Sequence, residues 1–259
     1  MTIIVMQNVY GLRTLTLKEV KRFWSVLGQT VTAPVITALL YLLVFHQVME
    51  GRVEIYPGVS FSQFLIPGLI MMSVIQNAFA NSSSSLIQSK LLGNLVFVLM
   101  APLAAWELFV AYIVASLLRA GIVALVLYAA TWPFVHLPVN SLPVLIGMFV
   151  VSGGTLAVIG LIAGIVAAKF DHLAAFQNFL ILPASFLSGV FYSIHSLPEF
   201  WYRVSHFNPF FYMIDGFRHG FLGVGDVAVW QCFAWTGGFF ALSSAVCLWM
   251  LTSGYKLRP

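Results

Sequence analysis

Residues 120–168 read AGIVALVLYAATWPFVHLPVNSLPVLIGMFVVSGGTLAVIGLIAGIVAA, a run of 49 residues without one Asp, Glu, Lys or Arg. A helix needs roughly 20 mostly apolar residues to cross a hydrocarbon core of about 30 Å. The run is therefore too long for one crossing and long enough for two. Pro133, Pro138, Asn140 and Pro143 cluster inside it and supply the break. A membrane helix is predicted on either side, at 108–130 and 142–168.

Working outward, the stretches between Glu54 and Lys90, between Asp171 and Glu199, and between Asp226 and Lys256 are also free of Asp, Glu, Lys and Arg. Further spans are predicted at 31–49, 64–80, 175–191 and 229–251. The second span is expected to end in the polar series from Asn81 to Ser85, and Glu50, Arg52 and Glu54 to form a polar loop after the first. Charged residues are 8% of the chain and apolar ones 61%, with a mean hydropathy of +0.97. A soluble domain carries about a quarter charged residues. The fold class is an all-α integral membrane protein of six transmembrane helices.

Ahead of the first span, residues 9–27 place Val9, Leu12, Val20, Phe23, Trp24 and Leu27 on one helical stripe, with Lys18, Lys21 and Arg22 opposite. That pattern predicts an amphipathic helix lying in the headgroup layer. Polar Gln7 and Asn8 follow Ile3, Ile4 and Val5, so the first helix is expected to be uncleaved. Lys and Arg concentrate on the cytoplasmic side of membrane proteins. Arg13, Lys18, Lys21, Arg22, Lys90, Lys169, Lys256 and Arg258 fall on one side, and Arg52, Arg203 and Arg218 on the other. Both termini are expected in the cytoplasm, which puts residues 192–226 outside. That segment is rich in Phe, Tyr and Trp and broken by Pro198 and Pro209, and reads as short helices tucked into the outer leaflet.

Several chemistries lack their residues. A phosphate-binding loop ends in Lys-Ser or Lys-Thr, but the five lysines are followed by Glu19, Arg22, Leu91, Phe170 and Leu257. No nucleotide site is expected in this chain. The net charge of +4 comes from scattered residues, so no nucleic-acid surface is expected. The six histidines lack close ligand spacing, and no metal site is expected. Cys232 and Cys247 lie about 22 Å apart along one predicted helix, too far to pair. Gly160 and Gly164 have the spacing of a close-packing helix motif. Arg119 is a charge inside a predicted span, where a functional role and a structural hydrogen bond are both open. An ion-gradient transporter or channel would be expected to show intramembrane carboxylates, and the eight acidic residues lie outside the span interiors as drawn.

The segment from Phe186 to Pro198, FLSGVFYSIHSLP, continued by His206 to Arg218, HFNPFFYMIDGFR, resembles the permeases of type-2 ABC exporters. Ser188, Gly189, Phe191, Tyr192, Pro198, Asn208, Pro209, Tyr212 and Arg218 carry the likeness. Phe64 to Ser73 and Gly216 to Gly223 look most like the YadH-like subgroup of bacterial permeases. The resemblance implies an inner-membrane half that forms a homodimer, binds two copies of a cognate ABC ATPase, and exports its cargo along a path between protomers. ATP and magnesium would sit in the ATPase, with no cofactor held by this chain. Residues 192–226 would be the family's re-entrant helices. Residues 89–103 would be the coupling region that presses into the ATPase, with Lys90, Leu92, Gly93, Asn94, Leu95 and Pro102 at the docking site. Relatives usually carry acidic residues near 95–97, where this sequence is apolar. Cargo handled by such a chain is expected to be an amphipathic small molecule, a lipid or a lipid-linked glycan.

Overall fold

A computed structural model describes residues 2–49 and 55–256, with side chains from residue 10 onward. Glu50, Arg52, Glu54 and Arg258 lie outside the described residues, as does the side chain of Val9. The described chain is helical: α1 (Thr2–Trp24), α2 (Leu27–Met49), α3 (Phe61–Leu91), α4 (Leu95–Met100), α5 (Ala105–Thr131), α6 (Leu142–Val166), α7 (Phe170–Phe176), α8 (Leu182–Phe186), α9 (Glu199–Phe207), α10 (Pro209–Leu222) and α11 (Val229–Ser253). Among the described residues, five helices are long and apolar enough to cross a membrane: α2, α3, α5, α6 and α11.

α3 is the axis of the bundle. It packs against α6, α5, α10 and α2 and is buried along most of its length. A capping box starts it, with the Ser60 hydroxyl accepting from the Gln63 N–H and the Gln63 side chain accepting from the Ser60 N–H, both at 3.2 Å. The helix does not stop at the serine run, as the sequence suggested, but continues to Leu91. Ser82 and Ser83 return their hydroxyls to carbonyls one turn back, and Ser82 also donates to the Ala157 carbonyl of α6 at 2.7 Å. Satisfied this way, polar side chains remain inside a buried helix.

The α3–α6 contact depends on the paired glycines. A Cβ on Gly160 would lie 2.5 Å from the Phe79 carbonyl oxygen, and one on Gly164 would lie 3.1 Å from that of Ser83. The motif therefore packs two helices of one chain.

The fifth predicted span, 175–191, differs most from expectation. The helical rod begins earlier, at Phe170, and ends at Phe186, with α7 and α8 joined by a π-helical turn over Gln177–Ile181. Pro183 has no N–H to offer the Phe179 carbonyl, and the Leu182 N–H bonds back to Gln177, five residues away. At about 1.5 Å rise per residue the rod is roughly 25 Å long, shorter than α3, α5 and α6. The chain then turns at Gly189, whose φ of +74° favours glycine.

α1 extends the expected interfacial helix and packs along α5, burying Leu15 and Phe23 while Tyr10, Leu17 and Trp24 stay exposed. Its basic side is split: Lys21 faces out, whereas Arg22 turns inward to α3.

Candidate functional site

The bundle has two chemically different ends. At one, the segment from Phe186 to Val227 folds over the N-terminus of α3. Asn208 caps α10 by accepting from the Phe210 N–H at 3.0 Å, while its amide donates to the Ala184 carbonyl at 2.7 Å. Pro209 follows at the first helical position, where its missing N–H costs nothing. Tyr212 donates to the His206 carbonyl at 3.0 Å and stacks on Trp235 of α11. Ser188 donates to the Ser185 carbonyl, Tyr192 to that of Phe186 at 3.2 Å, and Pro198 opens α9. Phe191 stacks on Phe45 at 5.1 Å between centroids.

Arg218 ties these pieces together. It is 1% exposed, donates to the Gly189 carbonyl at 2.9 Å and to Asp215 at 3.3 Å, and its guanidinium lies 3.7 Å from the centre of the Phe64 ring. Asp215 in turn accepts from the N–H groups of Asp226 and Val227, both at 3.0 Å. Asp226 accepts from the Tyr56 and Ser193 hydroxyls, each at 2.7 Å, and from the Ile194 N–H at 2.9 Å. Burial pushes the Tyr56 phenol well above its ordinary pKa, so it remains a donor. The sequence reading brought out Arg218 but missed Asp215, Asp226 and Tyr56. Isolated acids beside a predicted turn were the available signal, and their partners are up to 170 positions away.

At the other end, Gly93 and Asn94 turn the chain from α3 into α4, and Pro102 lies in the tight turn into α5. Leu92, Phe97 and Met100 are 64%, 73% and 77% exposed, whereas Leu95 is 5% exposed and belongs to the bundle core. Lys90 is occupied within the chain: its ammonium donates to the carbonyls of Ile165 and Ala167 at 2.7 and 2.9 Å, closing the C-terminal end of α6. The six proposed docking residues thus separate into exposed Leu92, buried Leu95, an inward Lys90 and three turn residues.

Between the ends runs a polar ladder on α3. Arg119 of α5 is 8% exposed and donates to the Asn77 side chain at 3.2 Å. One turn along, Asn81 donates to Ser116 at 3.1 Å and accepts from Arg22 at 2.9 Å. Arg22 pairs at 3.2 Å with Glu19, which is fully buried and also accepts from Ser85. Glu107, just outside the predicted third span, falls in the first turn of α5 and accepts from the Ala104 N–H at 2.7 Å.

Residues 10–222 match the family model described as ABC-2 type transporter. The chain belongs to that family. It is 35% identical over 255 residues to the inner membrane transport permease YadH of Escherichia coli, covering 98% of this chain and all of that one. Nodulation protein J of Sinorhizobium fredii is 28% identical over 214 residues, covering 76% of this chain and 74% of its own length. The probable multidrug ABC transporter permease YbhR of Escherichia coli is 24% identical over 160 residues, covering 61% and 44%. This ABC-2 protein is a transmembrane permease, the membrane component of its transporter and not the catalytic one.

Proposed function

We propose that this permease is the membrane half of an ATP-driven exporter, and that α4 with the preceding turn is the surface on which a separate ATPase subunit docks. The observation that carries the reading is the apolar group of Leu92, Phe97 and Met100, exposed on a turn and a six-residue helix at the end of the bundle. Exposed apolar patches of this kind mark contact with a partner. Lys18, Lys21, Lys90, Lys169 and Lys256 belong to the same end of the chain's path, which makes it the cytoplasmic one. Both termini then face the cytoplasm. The α7–α8 rod with the turn at Gly189 supplies the sixth crossing, and α9 and α10 form the re-entrant outer segment. Two copies pair through α11, whose face is among the least buried of the candidate spans, and each copy binds one ATPase that holds ATP and magnesium. The cargo is an amphipathic molecule, a lipid or a glycan-type substrate, moved outward between the protomers.

Co-purification with a cognate ABC ATPase subunit, together with cargo-stimulated ATP hydrolysis, tests this function. A two-to-two complex is expected. A monomer that retains no ATPase would overturn the reading.

A further inference from the structure

Several hydroxyls inside the bundle are returned to the helix that bears them. Ser82, Ser83, Thr155 and Ser185 each donate to a carbonyl one turn back. One cavity instead gathers four polar side chains that are not returned in this way. It has a volume of about 240 Å³, lies between α2 and α3, and is bounded by Thr37, Tyr41, Ser73 and Gln76 with Pro34 and Met72. The side chains of those four polar residues hold no hydrogen bond to any described residue. Unspent donors and acceptors at mid-span are costly unless something fills them.

No Lys, Arg, Asp or Glu bounds the cavity. The nearby Arg119 spends an N–H on Asn77, whose own amide is turned to the Ser73 carbonyl at 3.0 Å. An ion here would meet no opposite charge on the cavity lining and would be strongly disfavoured. The Tyr41 ring is 5.3 Å from Phe191, which stacks on Phe45 and Phe186, so ring faces close the cavity toward the α10 end. The opposite side is open, with Ile36 and Leu40 exposed on α2.

We infer that this cavity binds the uncharged, hydroxyl- or amide-bearing head of an amphiphile, whose apolar tail stays along the exposed face of α2. Thr37, Ser73 and Gln76 supply the hydrogen bonds and Tyr41 a ring face. The volume is below the roughly 300 Å³ of an ordinary ligand pocket, which suits one head group. This inference rests on the permease reading and narrows its cargo to neutral head groups.

The test uses the full chain in phosphatidylcholine nanodiscs and three diazirine-bearing probes with the same alkyl tail: a glucoside, a trimethylammonium and a sulfate. Photolabelling is mapped by mass spectrometry. The glucoside is expected to label the peptides containing Thr37–Tyr41 and Ser73–Gln76 and to be displaced by octyl glucoside. In a Thr37→Val, Gln76→Leu double variant that labelling should fall about tenfold, as expected for two lost hydrogen bonds, and Thr37→Ser should label as wild type. The double variant should keep the wild-type Tm, because the removed groups have no partner in the fold. Equal labelling by the charged probes, undiminished labelling of the double variant, or a lowered Tm would each overturn the inference. None of these outcomes bears on ATPase retention, so failure here is distinguishable from failure of the exporter reading.

Discussion

The α10 end and the α4 end of this permease handle their charged side chains differently. At the α10 end, Asp215, Arg218 and Asp226 are bonded among themselves, to Tyr56 and to backbone groups of the same folded-over segment. At the α4 end, the polar work is also internal, with Lys90 closing α6 and Arg22 reaching Asn81, but Phe97 and Met100 are left uncovered. The first end joins its buried charges to one another and leaves Phe200 and Phe207 of α9 exposed. The second commits Lys90 and Arg22 within the chain, leaves Lys21, Lys169 and Lys256 exposed, and presents Phe97 and Met100 on α4, which is the condition of a surface prepared for a protein partner. Substitutions at the α10 end should therefore act on stability, and those at α4 on association.

The largest effect is expected for Arg218→Leu. It leaves Asp215 buried without its cation and removes the donor to Gly189, a loss of about 3–5 kcal/mol. Fluorescence size-exclusion chromatography should show little monodisperse protein; a wild-type yield would break the claim that this end is held by its charges. Gly160→Ala drives a methyl group into the Phe79 carbonyl and should cost about 3 kcal/mol, near the upper end for overpacking, measured as a lower Tm in detergent. It calibrates the bundle between the two ends. Tyr56→Phe removes one hydrogen bond to a carboxylate, about 1.5 kcal/mol, and should lower Tm less than either. An unchanged Tm would show that Asp226 does not need the connection from the segment before α3.

Much of the membrane architecture was legible in the sequence. The proline cluster from 133 to 143 separated α5 from α6, and the onsets of α6 at Leu142 and α11 at Val229 fell where hydropathy placed them. The Gly160–Gly164 spacing also gave a correct reading, as a helix contact. What hydropathy missed depends on partners supplied by other elements. Asn81 to Ser85 looked like the end of a span, but Ala157, Arg22 and Glu19 satisfy them within a continuous helix. The early stop at Phe186 follows from Pro183 and Gly189 acting together on an otherwise apolar run. At the candidate docking region, the family resemblance marked Gly93, Asn94 and Pro102, but could not tell exposed Phe97 from buried Leu95, which depends on how α4 lies against the bundle.

That distinction gives the most direct measurement of the central claim. Phe97→Lys and Met100→Lys together change only exposed side chains, for which stability effects are about 0.5 kcal/mol or less. The account predicts that the double variant runs and melts like wild type while the ATPase subunit is lost during purification. A double variant that keeps the ATPase and its cargo-stimulated hydrolysis at wild-type levels would contradict it.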